Sequence, residues 1–131
     1  MGMKNILIDT NIYTSALKGE HETITVLKQA NEIGICSITI GELLSGFKAG
    51  SRRKKNREEL AEFLDTPRVH IYRIDENTAE FYSEVLNNLR KTGKPIPTND
   101  IWIAAIAFQY GFQLFTKDKH FAFIPGLMLV S

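Results

Sequence analysis

Hydrophobic positions in this chain fall into short unbroken aliphatic runs that alternate with stretches of helical spacing. Ile6-Leu7-Ile8 predicts a short strand buried on both faces, as in a parallel sheet. Ile12, Tyr13, Ala16 and Leu17 recur at helical spacing up to Gly19. A second helix is expected over residues 22–32, with Ile24, Leu27 and Ala30 on its turns and a stop at Gly34. Ile35-Cys36-Ser37 reads as a second strand, and residues 38–47 carry no turn signal, so the strand should pass directly into helix. Residues 58–64 form an amphipathic helix ended by Thr66-Pro67. Val69-His70-Ile71-Tyr72-Arg73-Ile74 alternates and predicts a third strand. Asp75 then caps a helix through Ala79, Tyr82, Val85, Leu86 and Leu89 that ends at Gly93. After the stiff loop Lys94-Pro95-Ile96-Pro97, Thr98-Asn99 offers a cap. The apolar block 101–108, rich in alanine and stopped by Gly111, reads as a buried helix. Residues 112–115 are a fourth strand, and Leu127-Met128-Leu129-Val130 a last one.

Strands alternating with helices imply the α/β class, a mainly parallel sheet with helices on both faces. All strand carboxyl ends then share one rim, the edge where open α/β sheets bind ligands. Asp9 and Asp118 directly follow strands at that rim. Glu42 lies about a turn into its helix, and long helical side chains lean toward the helix N-terminus, so it reaches back to the same edge. Asp100 heads a helix pointing there. Each acid has an ordinary alternative, since Asp is a common helix cap and a common first-turn residue. Four carboxylates at one edge repel and raise one another's pKa values. A cation relieves that repulsion, and oxygen ligands suit Mg²⁺ or Mn²⁺. The chemistry implied is phosphoryl transfer to water. Thr10, Asn11, Asn99 and Thr116 are short polar groups placed to orient ligands or waters.

Composition narrows this picture without redirecting it. At 131 residues the chain is expected to form one domain over residues 1–131. Its 44% hydrophobic and 24% charged content is ordinary for a globular protein. A formal net charge of +1 gives no overall basic field, so any nucleic-acid surface must be local. Arg52, Arg53, Lys54, Lys55 and Arg57 form the dense basic cluster, either a solvated face or a set of phosphate contacts. Lys117 and Lys119 flank Asp118 with further positive charge. No apolar run approaches a membrane span, and no leader pattern precedes a cleavage site. Gly2 opens no myristoylation signal, because Ile6 stands where Ser or Thr is needed. His70 has no carboxylate or cysteine near it in sequence and is not expected to bind metal. The single Cys36 permits no disulfide within the chain, and a reducing cytoplasm is the expected compartment.

Four ordered motifs carry a family resemblance. Asp9-Thr10-Asn11, Glu42-Leu43-Leu44-Ser45-Gly46, Asn99-Asp100-Ile101-Trp102-Ile103-Ala104-Ala105 and Thr116-Lys117-Asp118-Lys119-His120-Phe121 resemble those of PIN-domain nucleases. The similarity is greatest to the VapC-type toxin ribonucleases of toxin–antitoxin pairs. The resemblance implies a three-layer α/β/α sandwich, Mg²⁺- or Mn²⁺-dependent RNA cleavage leaving 5′-phosphate ends, a homodimer and an antitoxin that blocks the site. The family's acidic residues carry over onto Asp9, Glu42, Asp100 and Asp118. Two other PIN-like outcomes are a protein of RNA processing and an inactive module that only binds RNA or antitoxin. Clustered negative charge does nothing for RNA binding by itself, which disfavours the inactive module. An aspartyl-phosphate enzyme would want a second Asp where this chain has Asn11.

Overall fold

In the computed structural model, which describes residues 4–130, four short strands form one all-parallel sheet. Gly2 lies outside the described residues. The strands are β1 (Asn5–Ile8), β2 (Glu32–Cys36), β3 (Val69–Tyr72) and β4 (Gln113–Phe115), in the order β3-β2-β1-β4. Helices α1 (Thr10–Leu17) and α2 (His21–Gln29) join β1 to β2, and α3 (Ser37–Ala49) and α4 (Arg53–Leu64) join β2 to β3. Helices α5 (Glu76–Thr92) and α6 (Thr98–Tyr110) lead from β3 to β4, and a 3₁₀ turn, Lys119–Phe123, follows.

Alternation along the strands divides the core between two faces. Ile6 and Ile8 pack with Ile33, Ile35 and residues of α1 to α4, among them Ile12, Leu27, Leu43 and Leu60. Leu7 and Leu114 face the other way, against Val85 and Leu89 of α5 and Ile103, Ala104 and Ala107 of α6. The result is the α/β/α sandwich that the alternation predicts. The chain leaves β1 for β2 and β3 on one side, then crosses to β4 on the other. The carboxyl end of β1 is therefore the point where the strand order reverses, the site of the sheet's natural crevice. Asp9 is the next residue.

Helix ends follow their local signals where these are strong. Asp75 accepts the Thr78 N–H at 3.0 Å, and the Thr78 hydroxyl answers to the Asp75 N–H, a reciprocal cap for α5. Gly93 and Gly111 end α5 and α6 in the left-handed conformation, at φ +66° and +70°. Cys36 is buried, and its Sγ accepts the Ile38 N–H at 3.4 Å. Among the described residues no helix is long and apolar enough to cross a membrane.

Elsewhere long-range packing overrides the local pattern. The helix expected over residues 22–32 ends at Gln29, and Gly34, expected as its stop, lies inside β2. A Cβ at Gly34 would meet the Tyr72 ring at 3.1 Å and Leu7 Cδ1 at 3.3 Å, so glycine makes room for Tyr72 across the sheet. Ser37, expected in the strand, already opens α3. The third strand stops at Tyr72 instead of Ile74. Arg53, Lys54, Lys55 and Arg57 belong to α4 itself, which begins before residue 58. Thr98 and Asn99 do not cap α6: they lie in its first turn, and Pro97 occupies the cap with no side-chain bond. The strand expected at 127–130 is a single bridge between Leu114 and Leu129, because β4 offers only three residues of edge.

Gly34→Ala tests the close approach. Crowding of this kind should cost about 1–3 kcal/mol, read as a lower urea midpoint at unchanged slope. An unchanged midpoint would mean that Tyr72 moves aside freely.

Candidate active site

Asp9 serves two roles that the sequence left as alternatives. Its extended backbone ends β1, and its Oδ1 accepts the Ile12 N–H at 3.0 Å, which caps α1. Its Oδ2 accepts the hydroxyl of Thr116, and Thr116 Oγ1 accepts the Asp118 N–H at 2.9 Å. One hydroxyl thus ties the end of β1 to the segment leaving β4. Asp9 is only 5% exposed. Burial pushes its carboxyl above the ordinary range, the bonds from Thr116 and Ile12 pull it down, and Asp100 and Asp118 push it further up.

Glu42 reaches the same cleft from the second turn of α3, as its backward lean requires. The Thr10 hydroxyl donates to Glu42 Oε1 at 2.7 Å, and Asn99 Nδ2 donates to Oε2 at 3.2 Å. Asn99 can do this because it lies in the first turn of α6 and does not serve as that helix's cap. Asn11 lines the cleft as an exposed side chain.

Asp100, also in the first turn of α6, faces Asp118 across His120. His120 Nε2 lies 2.5 Å from Asp100 Oδ2, and its Nδ1 lies 2.9 Å from Asp118 Oδ1. Burial raises the Asp100 carboxyl above its ordinary value, the bond and charge of His120 oppose this, and Asp118 and Glu42 add to the rise. Desolvation therefore outranks like-charge repulsion as the cause at both Asp9 and Asp100, the reverse of what the sequence suggests. The sequence reading missed His120 as a site residue. Its signal was the spacing Asp118-Lys119-His120, which the 3₁₀ turn folds onto one side.

These residues line one cleft of ≈ 560 Å³, walled by Asp9, Thr10, Asn11, Glu42, Asn99 and Asp100, and by Asp118 and His120. The basic residues stand apart from it. None of Arg52, Arg53, Lys54, Lys55 or Arg57 lines the cleft, and all are exposed. Lys117 turns to Glu20, Nζ to Oε1 at 2.8 Å, and to Ser15 at 3.2 Å, while Lys119 is exposed. Oxygens from Asp100 and Asp118 and a nitrogen of His120 all lie within 4.8 Å of one another. That spacing, with the buried Asp9 carboxylate alongside, fits a divalent cation.

The family model for the PIN domain matches residues 6–127. The chain belongs to the PIN-domain family. All four motifs lie inside the matched segment. This PIN domain is 31% identical over 126 residues to Ribonuclease VapC1 of Haemophilus influenzae strain R2866, covering 92% of each chain. It is 29% identical over 100 residues to Ribonuclease VapC4 of Mycobacterium tuberculosis, covering 76% of this chain and 77% of that protein. Its fold superposes on VapBC2 from Rickettsia felis, solved with a DNA fragment from its promoter, at a TM-score of 0.87. There the identity is 29%, over 96% of this chain and 97% of the other. The sandwich implied by the motif resemblance is thereby borne out.

Proposed function

We propose that this PIN domain is a metal-dependent ribonuclease that hydrolyses RNA phosphodiester bonds as the toxin of a toxin–antitoxin pair. The observation that carries the reading is the convergence of Asp9, Glu42, Asp100 and Asp118 on one cleft at the sheet's switch point. Relatives named as VapC ribonucleases and a VapBC neighbour support it. The partners that follow are an RNA substrate, a cognate antitoxin protein and a second copy of the chain, in a reducing cytoplasm.

Asp9, Asp100 and Asp118 would hold the ion, Mg²⁺ or Mn²⁺, with Glu42 at its edge. When bound, such an ion neutralises phosphate charge and makes water more acidic. The protein's own part is positioning. Thr116 and the Ile12 N–H fix both oxygens of Asp9, so its charge is delivered without a side-chain search. Thr10 and Asn99 aim Glu42, and each carboxylate oxygen keeps a lone pair for a proton from the attacking water. Water adds to phosphorus, the bond to the 3′ oxygen breaks, and that oxygen leaves with a proton, giving 5′-phosphate ends. Single-stranded RNA should be cleaved with Mn²⁺ or Mg²⁺ and stay intact with excess EDTA. Cleavage that survives EDTA would overturn the metal-dependent reading.

The basic turns of α4 are the proposed backbone contacts. Four cations at Arg53, Lys54, Lys55 and Arg57 open a helix whose N-terminal dipole end already disfavours positive charge. Their cost is explained if phosphate meets them. Neutralising three of them should weaken RNA binding and reduce the slope of log K against log salt by about 0.7 for each phosphate left without its cation. An unchanged slope would return the cluster to a solvated face.

A further inference from the structure

We infer that His120 is a direct nitrogen ligand of the cleft's metal ion and biases the site toward transition ions over Mg²⁺. The inference rests on the proposed metal-dependent reading and concerns its ligand set. Both ring nitrogens face carboxylate oxygens, Nδ1 toward Asp118 at 2.9 Å and Nε2 toward Asp100 at 2.5 Å. A neutral imidazole carries one N–H. With that hydrogen on Nδ1, donated to Asp118, Nε2 turns a lone pair on the Asp100 oxygen. In the metal-free cleft a hydrogen shared between Nε2 and the Asp100 oxygen relieves that contact; a cation entering the cleft takes the hydrogen's place and makes the two atoms, with Asp118, neighbouring ligands. Asp118 then orients the ring by accepting its N–H, the usual support of a metal-bound histidine.

The fold makes this arrangement specific to His120. The 3₁₀ turn Lys119–Phe123 begins directly after Asp118, and its buried Phe121 anchors the turn in the α5–α6 core. The ring is held partly buried, 27% exposed, between α6 and the segment after β4. The chain's other two histidines, His21 and His70, are exposed. An oxygen-only site suits Mg²⁺, whereas an imidazole donor favours later first-row ions in the order Mn²⁺, Co²⁺, Ni²⁺.

The full-length protein loaded with Mn²⁺, with natural-abundance or ¹⁵N-labelled histidine, should show nitrogen coupling in its electron spin-echo modulation. The coupling should change with the label and vanish in His120→Gln. That variant should lose about tenfold or more in Co²⁺ affinity and distinctly less in Mg²⁺ affinity, measured calorimetrically without substrate. Should His120→Gln fail to fold, a His21→Gln/His70→Gln double variant must keep the label-sensitive coupling. Bound Mn²⁺ with no nitrogen coupling, coupling that survives His120→Gln, or equal loss for Co²⁺ and Mg²⁺ would each overturn the ligand role. His120 would then be a strut between carboxylates, and the proposed function would stand. A wild-type protein that binds no divalent ion would overturn both.

Discussion

Asp9→Asn is expected to lower RNA cleavage by roughly a hundredfold or more while the protein melts at least as high as the wild type. Asparagine caps helices as well as aspartate does, so the Ile12 N–H keeps its acceptor. The new amide nitrogen would face Thr116, whose hydroxyl can rotate its hydrogen away and accept, since its second lone pair is not used by the Asp118 N–H. No core volume changes, and a buried charge disappears. What is lost is one negative charge at the rim of the sheet. Initial rates in matched Mn²⁺, with melting curves for both proteins, check this. Activity retained above a few per cent would remove Asp9 from the chemistry.

Asp100→Asn should separate stability from metal binding. The Asp100 carboxyl is held above the ordinary aspartate range chiefly by burial, with His120 opposing. An acid whose folded pKa is raised binds its proton more tightly when folded. Its penalty is therefore absent below the unfolded pKa and grows as pH rises through the folded value. The metal-free protein should lose stability as pH climbs from about 4 toward neutrality, and Asp9, also raised, adds in the same direction. Removing the Asp100 charge should raise the metal-free Tm at pH 7. A hundredfold excess of Mn²⁺ over its Kd stabilises by about 2.7 kcal/mol, a rise of roughly 10 °C for a domain of this size. The variant should show less than half of that rise. A lower metal-free Tm, or an undiminished response to Mn²⁺, would make Asp100 a first-turn structural residue and nothing more.

The parts of this site that were legible in the sequence are those fixed by short-range physics. Ile6-Leu7-Ile8 has no soluble alternative to burial, so β1 and the position of Asp9 follow from the run itself. The backward lean of a helical glutamate placed Glu42, and Gly93 and Gly111 marked their helix ends through the left-handed conformation. The misread parts depend on partners far along the chain. Gly34 looks like a stop until Tyr72, on the neighbouring strand, is seen to need its missing Cβ. Thr98-Asn99 looks like a cap until Asn99 is seen bonded to Glu42 on another helix. His120 was invisible for a similar reason. A histidine two residues after an acid is ordinary in an extended chain, and only the tight turn after β4 folds both toward Asp100.

The hydroxyl bond from Thr116 to Asp9 spans 107 positions of chain, and it sets a clock on synthesis. β1 is made first, but its second neighbour β4, and with it Thr116, Asp118 and His120, is made nearly last. At about 5–20 residues per second, roughly five to twenty seconds separate the translation of Asp9 from that of the residues completing its cleft. During that interval the ribosome carries a chain with half a cleft, in which Asp9 still lacks the Thr116 hydroxyl that fixes one of its oxygens. A prematurely ended chain lacking β4 would keep that half-cleft for good, without Thr116, Asp118 or His120.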